Sequence, residues 1–295
     1  MSKEKIPVYD ICSLAKDRHS PSDFLIERFS SYLKRHPQNL HNAHRHSFFH
    51  LVLFTKGDGT HSIDFTKFPV KPFQIYFMIP GQVHSWHFKS DADGYIVNFS
   101  ESFFRTFLLN PNYLERFNFF SGISEDSVCR IPPENQSKVL SLFEEMIAQF
   151  STGKEVEPDM VKLLLLELFI VVDAGSISNH KKTIPQHKLT LLKSFRRLID
   201  QHYRDIKLPK EYADLLYITP NHLNALCQDL LGKTAGELIR DRVLLEAKRL
   251  LTNAGMSITE IAYDLNFKDN SYFNRFFKKN VGITPDEFRN QFIPV

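Results

Sequence analysis

Cysteine is scarce in this sequence: Cys12, Cys129 and Cys227 stand far apart among 295 residues. Their spacing matches neither a metal-binding cysteine motif nor an even-numbered disulfide framework, so a reducing cytoplasm is the expected compartment. Long hydrophobic runs are also missing. The most apolar stretch, residues 163–172, contains Glu167 and is too short to span a bilayer, and the first residues lack the apolar run of a signal peptide. We therefore expect a cytoplasmic protein without a membrane partner.

Motifs of catalysis are likewise absent. No nucleophile, phosphate loop or paired carboxylates stand out, and Gly57-Asp58-Gly59 is typical of a turn rather than of a phosphate cradle. We expect no enzyme activity and no cofactor. Apolar material, by contrast, is plentiful: 42% of the residues are hydrophobic and 27 are Phe. This is the composition of a globular protein, and the length favours two domains.

Charge is distributed unevenly along the chain. Residues 181–295 contain 19 Lys and Arg against 13 Asp and Glu, a balance of +6, which leaves 18 against 21, or −3, for residues 1–180. A basic C-terminal part behind a mildly acidic remainder suggests that the two parts meet different partners. For the basic part the natural partner is a polyanion.

Residues 44–100 show the pattern of short strands. An apolar run, the turn at residues 57–59 and an alternation through Ile63 and Phe65 predict a hairpin, and more strands follow around Pro80-Gly81 and Asp93-Gly94. A small antiparallel barrel or sandwich is expected. Five side chains are expected to line its interior, with histidines at its mouth: Phe49, Leu51, Leu53, Phe77 and Trp86. Such an interior could hold a small molecule or simply be filled.

Two helices are predicted after the strands. Residues 134–150 place apolar side chains at helical spacing on one face, whereas residues 159–173 are apolar nearly all round. The second helix therefore needs burial on more than one side, inside the domain or against another subunit. Small, polar and basic residues at 175–185 then break the pattern, and we place a linker there. The predicted domains are residues 1–180 and 181–295.

The C-terminal part repeats itself. Six residues recur at a spacing of fifty: Leu223, Asn224, Leu226, Gly232, Thr234 and Glu237 return as Phe273, Asn274, Phe276, Gly282, Thr284 and Glu287. Upstream, Ala213 matches Ala262 at a spacing of forty-nine. Each copy has the pattern helix, short turn, helix, with Thr219 and Asp269 as the predicted caps of the second helices. Residues 236–251 are expected to form one helix between the copies.

Helical geometry separates core from surface in each second helix. At about 100° per residue, the large apolar side chains fall on one side and polar ones on the other. The outward residues are Asn221, Asn224, Ala225 and Gln228 in the first copy and Ser271, Asn274, Arg275 and Lys278 in the second. Asn, Gln and Arg match base edges in the major groove and Lys matches phosphate. The repeated motif therefore predicts binding to double-stranded DNA.

The segments "RVLLEAKRLL", "SITEIAYDLNF" and "SYFNRFFKKNVGITPDEFR" resemble the AraC/XylS family of bacterial transcription regulators. The resemblance covers roughly the last hundred residues. It implies a sequence-specific DNA-binding regulator, commonly an activator, with RNA polymerase as a further partner. The helix that is apolar nearly all round leads us to expect, in addition, a homodimer formed through residues 134–173. The family's base-contacting positions map onto Asn221, Asn224, Ala225, Asn270, Ser271, Asn274 and Arg275. Two positions depart from the family pattern, Ala225 where a basic residue is common and Asn266 where Gly is common.

The N-terminal part resembles the cupin-like effector domain of many family members. The resemblance implies an α+β protein, with a cupin-like antiparallel β-barrel and flanking helices before an all-α domain with two helix-turn-helix motifs. It also implies a small-molecule effector. "HRHSFFH" and "PGQVH" stand where cupins carry metal-binding motifs, so His44, His46, His50 and His84 are either a metal site or ordinary pocket residues. The alternative function is a metal-dependent cupin enzyme with a helical accessory module.

Overall fold

The computed structural model describes residues 7–11, 23–36, 43–105, 107–110, 113–151, 157–177, 185–252 and 255–292. These residues form two compact units, one within 7–181 and the other within 182–295. The predicted domain boundary at 180/181 and most of the predicted linker lie outside the described residues. The first part of that linker, residues 175–177, instead continues a helix.

The N-terminal unit is built on two five-stranded sheets. Their strands are β1 (Val8–Tyr9), β2 (Phe24–Arg28), β3 (His44–His46), β4 (Phe49–Lys56), β5 (Gly59–Ile63), β6 (Thr66–Val70), β7 (Gln74–Met78), β8 (Val83–Phe88), β9 (Asp93–Phe99) and β10 (Val128–Arg130). The first sheet has the order β1-β3-β8-β5-β6 and the second β10-β7-β4-β9-β2. Among the described strands only β1 and β3 pair in parallel. The predicted sheet-rich N-terminal domain is confirmed, as two sheets rather than one closed barrel.

The hairpin predicted around residues 57–59 is wrong. Strand β4 pairs with β7 and β9, whereas β5 pairs with β6 and β8, so the chain crosses from one sheet to the other at this point. Gly59 has a φ of 149°, and a Cβ there would lie 2.2 Å from the carbonyl oxygen of His87. The hairpin forms one strand later, where Asp64 and Phe65 join β5 to β6 with φ of 45° and 74°. These are not the Asn-Gly residues that mark such turns, so the sequence pattern missed it.

Two apolar cores lie on opposite faces of the second sheet. Val52, Phe54 and Tyr76 pack between the sheets, whereas the alternate residues of β4 and β7 face the helices. The interior was predicted from Phe49, Leu51, Leu53, Phe77 and Trp86, and of these only Trp86 lies between the sheets. The error has a simple origin, since successive residues of a strand point to opposite faces.

Helices cover the outer face of the second sheet. They are α2 (Pro133–Ser151) and α3 (Pro158–Ile177), with short 3-10 turns at Tyr113–Arg116 and Asn118–Phe120. Helix α1 (Phe29–Arg35) instead packs into the core between the two sheets. The helices predicted over 134–150 and 159–173 are thereby confirmed. Residues of α2 and α3 join the core against β4 and β7. Helix α3 leaves part of its apolar surface exposed, as described below.

The C-terminal unit is all-α in its described residues. Its helices are α4 (Gln186–His202), α5 (Pro209–Leu215), α6 (Pro220–Leu231), α7 (Ala235–Leu251), α8 (Ile258–Asp264), α9 (Asn270–Val281) and α10 (Pro285–Phe292). The single helix predicted over 236–251 is α7, and the two helix-turn-helix motifs are α5–α6 and α8–α9. Within the part of the chain that the structure describes, no helix has the length and apolarity needed to cross a membrane.

Candidate nucleic-acid interface

Both helix-turn-helix turns have the same backbone geometry. After α5, the amide of Tyr217 donates to the carbonyl of Asp214 and the amide of Ile218 to that of Ala213, at 3.1 and 3.0 Å. After α8, Asn266 and the residue after it repeat this pattern, each at 2.9 Å. This is the Schellman ending, which needs one residue in the left-handed region. Tyr217 and Asn266 supply it with φ of 55° and 58°.

The matched alanines of the repeat now have a physical role. Ala213 and Ala262 are the buried residues whose carbonyls accept, in each Schellman ending, the hydrogen bond from the amide five residues later. Their spacing of forty-nine also aligns Tyr217 with Asn266. Asn tolerates the left-handed conformation, as predicted for Asn266, whereas Tyr does so at a cost. The sequence analysis missed Tyr217, although the forty-nine-residue spacing points to it.

Each motif ends in a recognition helix with a defined start and end. The side chain of Thr219 accepts the His222 amide at 3.2 Å to cap α6, and the side chain of Asp269 accepts the Tyr272 amide at 2.6 Å to cap α9. Both predicted caps are confirmed. The helices stop at the repeated glycines, Gly232 and Gly282, which have φ of 66° and 92°.

The remaining repeated pair caps the helix after each recognition helix. Thr234 accepts the Glu237 amide at 3.2 Å while the Glu237 carboxylate accepts the Thr234 amide at 2.7 Å. Thr284 and Glu287 form the same capping box with the same two distances. The repeat therefore preserves backbone endings as well as core positions.

The predicted division of each recognition helix into core and surface agrees with the burial. Leu223 and Leu226 are buried in α6, and Phe273 and Phe277 in α9. The nine predicted DNA-binding residues all keep accessible surface. Asn221, Ala225, Gln228, Ser271, Arg275 and Lys278 are exposed, and Asn224, Asn270 and Asn274 are half-buried. Their contacts with DNA stay a prediction.

The half-buried asparagines are engaged within the protein. Asn224 Oδ1 accepts the amide of Ala235, the first residue of α7, at 3.0 Å. The corresponding residue after α9 is Pro285, which has no amide hydrogen. Asn274 turns instead to Asn270, and its Nδ2 donates to the Asn270 carbonyl and Oδ1 at 2.8 and 2.7 Å. A single Ala-to-Pro difference thus gives the two equivalent asparagines different partners.

The second recognition helix carries the positive charge of the interface. No described carboxylate forms an ion pair with Arg275 or Lys278. Beside the first recognition helix the lysines are paired: Lys188 contacts Asp229, and Lys233 contacts Asp241, each at 2.7 Å. The first motif therefore offers mainly neutral groups, and the second offers cations.

Two cations, the buried Arg289 and the half-buried Lys207, donate to backbone carbonyls of neighbouring elements. Arg289 of α10 donates to the carbonyls of Leu251 at 3.2 Å and Met256 at 2.8 Å, which satisfies the end of α7. Lys207, before α5, donates to the Leu265 carbonyl at 3.1 Å and so joins the first motif to the end of α8. Burial lowers the pKa of Lys207 to about 8. These bonds tie α10 to the end of α7 and the segment before α5 to the end of α8.

The histidines singled out in the sequence meet in the N-terminal unit. His44, His46, His50 and His84 converge between the sheets, and a fifth, His61, joins them. All five are at most 3% exposed, so they are interior residues and not residues of a mouth. Burial lowers the pKa of His50 to about 3 and holds those of His46, His61 and His84 well below the usual value. Sequence analysis missed His61, which shares its strand face with Ile63.

A helical unit with two equivalent helix-turn-helix motifs and an unpaired basic face, in a chain that also carries a separate sheet-rich unit, defines a class of DNA-binding regulators. Comparison with known proteins narrows that class. Residues 29–169 match the AraC-like ligand binding domain, and residues 212–291 match a helix-turn-helix domain. Together these matches span well over half of the chain, which belongs to the AraC/XylS family of transcription regulators.

Several curated relatives are similar over most of the length. The HTH-type transcriptional activator RhaR of Cronobacter sakazakii is 21% identical over 260 residues, 87% of this chain and 89% of that protein. The HTH-type transcriptional activator RhaS of Escherichia coli O81 is 22% identical, over 86% and 90%. The uncharacterized HTH-type regulator YijO of Escherichia coli K12 is 32% identical over 102 residues, 35% and 36%. The similarity to RhaR and RhaS includes both units.

Proposed function

We propose that this regulator reads a specific DNA sequence with α6 and α9 and activates transcription. The observation that carries the proposal is the pair of exposed faces on two equivalent capped helices, one of them with unpaired cations. The printed names of the relatives RhaR and RhaS, both transcriptional activators, support activation as the direction.

The side chains divide the work by chemistry. Arg275 is the candidate for bidentate reading of a guanine, and Lys278 for a phosphate contact. Gln228 and Asn221 can exchange donor and acceptor pairs with an adenine, while Ala225 offers an apolar contact to a thymine methyl. Asn224, Asn270, Ser271 and Asn274 complete the surface, with their amides or hydroxyl partly directed to neighbouring protein atoms.

The spacer helix supports simultaneous binding by both motifs. Helix α7 is capped at its start by Thr234 and tied at its end by Arg289, so it is a rigid connection between them. If the recognition helices lie about 34 Å apart, they enter successive major grooves on one side of the duplex. A footprint covering two such grooves is the expected result.

The test is selection of genomic DNA fragments by the purified protein, followed by titration of the best site and a scrambled site at physiological salt. A large affinity ratio between the two sites supports sequence reading. Equal and strongly salt-dependent affinities would leave only the attraction of a basic surface to phosphate and would overturn the proposal.

The N-terminal unit is proposed to sense a small molecule. Its match to a ligand-binding domain supports this role. A ligand that binds one arrangement of this unit better than another would shift the population toward that arrangement and so alter DNA binding or contact with RNA polymerase. Identical DNA affinity and transcription with and without every candidate ligand would count against the coupling.

Homodimer formation through α3 completes the proposal. Met160, Leu163 and Ile170 are 44%, 52% and 49% exposed, and they share one stripe with Glu167 and Ala174. The spacing of three, four, three and four residues is that of a coiled-coil seam. A second copy of α3 is the partner such a seam fits. Sedimentation that shows only monomer at micromolar concentration would exclude this dimer.

Regulation is proposed in preference to catalysis, in the cytoplasm where bacterial DNA is found. The histidines that the alternative enzyme would use are at most 3% exposed. A catalytic metal needs a position open to substrate, and a closed cluster does not provide one. Turnover of a substrate without specific DNA binding would reverse this preference.

A further inference from the structure

The five buried imidazoles of the N-terminal unit have a definite arrangement. His44 and His46 lie on one face of β3, His84 pairs directly with His44 across the first sheet, and His61 lies on β5 beside β8. His50 reaches the same place from β4 of the second sheet. Both sheets therefore contribute rings to one cluster in the interior.

Three of these rings can bind one ion together. A nitrogen of His44, one of His46 and one of His84 all lie within 4.8 Å of one another. Two imidazole nitrogens on one tetrahedral zinc ion are roughly 3.3 Å apart, from metal–nitrogen distances of about 2.0–2.1 Å. His84 Nε2 and His46 Nε2 are already 2.8 Å apart. The three nitrogens therefore lie near the spacing that one bound ion requires.

The polar atoms of the cluster are not satisfied by the protein. Within the described residues, His46 Nδ1, His50 Nε2 and His61 Nδ1 are buried and have no hydrogen-bond partner. Burying a polar atom without a hydrogen bond costs free energy. The interior around these atoms is apolar and includes Trp86 and Tyr76. Coordination of an ion by His50 would use the lone pair of Nε2, which the fold otherwise leaves unused.

Neighbouring side chains orient the rings. His50 Nδ1 donates to Asn98 Oδ1 at 2.6 Å, which leaves Nε2 as its lone-pair nitrogen. His84 Nδ1 lies 3.2 Å from His61 Nε2. When His84 binds an ion through Nε2, its Nδ1–H can therefore donate a hydrogen bond to His61 Nε2. Such partners fix the tautomer of metal-binding histidines and raise the affinity of the site.

We propose that the N-terminal unit binds one first-row transition metal ion through His44, His46 and His84, with His50 as a fourth ligand and His61 and Asn98 as positioning residues. An all-imidazole set suits Zn²⁺, Co²⁺, Ni²⁺ or Cu²⁺, and not Mg²⁺ or Ca²⁺, which prefer oxygen. Because the cluster is closed to solvent, the ion is a ligand and not a catalyst. This site makes a metal ion the ligand of the proposed sensing unit. Metal binding itself does not depend on the proposed sensing role; only its effect on transcription does.

The test is metal titration of the full-length chain, made without a histidine tag and freed of metal by a chelator. We expect one Zn²⁺ or Co²⁺ per chain at micromolar concentration or below, and a visible Co²⁺ spectrum typical of four-coordinate nitrogen ligands. His84→Gln is expected to weaken binding at least about tenfold. His87→Gln, on the same strand but exposed, is the matched control and should bind like the natural chain.

Failure to saturate, or equal affinity in the natural chain and in His84→Gln, would overturn the proposal. If His84→Gln does not fold, as judged by circular dichroism, X-ray absorption on the zinc-loaded natural chain decides. A shell of three or four imidazoles supports the site, and a shell of oxygen or sulfur refutes it. Since no DNA is used, failure of the metal site is distinguishable from failure of the DNA-binding proposal.

Discussion

Arg275 and Lys278 are one turn apart on the exposed face of α9, and neither forms an ion pair with a described carboxylate. Their chemistry differs. A guanidinium can bind two acceptors of one base at a fixed geometry, whereas an ammonium is a point charge that suits phosphate. Substitution of each residue can therefore distinguish a contact with a DNA base from a contact with the DNA phosphate backbone.

Arg275→Ala is expected to lower affinity for the best site by about 1–3 kcal/mol and to relax the preference at one base pair. Lys278→Ala is the comparison, because loss of a phosphate contact weakens cognate and scrambled DNA alike and reduces the salt dependence. Fluorescence titration with a set of single-base variants measures both. An unchanged ratio of cognate to scrambled affinity in Arg275→Ala would show that this residue does not read a base.

Tyr217 offers a test of stability at the same scale. It holds a left-handed φ of 55° while its side chain is 96% exposed, so little packing is lost on replacement. Tyr217→Gly is expected to stabilise the C-terminal unit by roughly 0.5–1 kcal/mol, because glycine adopts this φ without a Cβ clash. Asn266→Gly, at the equivalent position, should have a smaller effect since asparagine tolerates the conformation.

Thermal or urea unfolding of the two variants gives the comparison. Tyr217→Gly should raise the free energy of unfolding more than Asn266→Gly does. If it does not, another interaction offsets the cost of the left-handed backbone conformation at Tyr217. DNA titration of the same variant separates this effect from any contact that the exposed ring makes with DNA.

Among the elements, α3 is the one whose sequence demands a further partner. Its inner side joins the core against the second sheet, while Met160, Leu163 and Ile170 remain exposed in one stripe. Burial of such a stripe against a second copy removes apolar surface from water at about 25 cal/mol per Å². The described contacts of α3 with α2 and the second sheet leave this stripe uncovered.

Leu163→Glu is expected to convert the dimer to a monomer, since it places a charge in the middle of the seam next to Glu167 on the same stripe. Leu109→Glu is the matched control, because Leu109 is fully exposed in the same unit and does not lie on α3. Sedimentation velocity of both variants at micromolar concentration makes the comparison. A Leu163→Glu variant that remains dimeric would place the interface elsewhere.

At the scale of the whole molecule, the chain forms two compact units, and the proposed DNA recognition and the proposed sensing fall in different units. Residues within 182–295 contain both motifs and the bonds of Lys207 and Arg289 that connect them. Nothing in that set of contacts comes from the N-terminal unit. The expectation is that sequence discrimination belongs to the C-terminal unit alone.

The fragment 182–295 is therefore expected to fold and to keep the ratio of cognate to scrambled affinity within about twofold, with a lower absolute affinity. The loss reflects avidity, because the fragment lacks the proposed dimer helix. The full-length Leu163→Glu variant is the control and should lose the same amount. A fragment that folds but does not discriminate between the sites would assign part of the recognition to the N-terminal unit.

The helical unit was largely predictable because its determinants are local. Caps such as Thr219 and Asp269, the glycine endings and the buried faces of α6 and α9 depend on residues a few positions apart. The N-terminal sheets were less so. The crossing at residues 57–59 and the face on which Leu51 lies depend on which distant strand pairs with which, and a shift of one residue reverses every side chain.

By itself the sequence determined the two helix-turn-helix motifs, their outward residues and the class of partner, since periodicity and capping are read over a single helix or turn. Only the tertiary structure decided that His61 joins the other four buried histidines of the N-terminal unit and that Asn224 and Asn274 have different partners. It also decided that α3 keeps an exposed apolar stripe. Each of these depends on contacts between segments remote in the chain or on what a neighbouring element leaves uncovered, and local patterns carry no information about either.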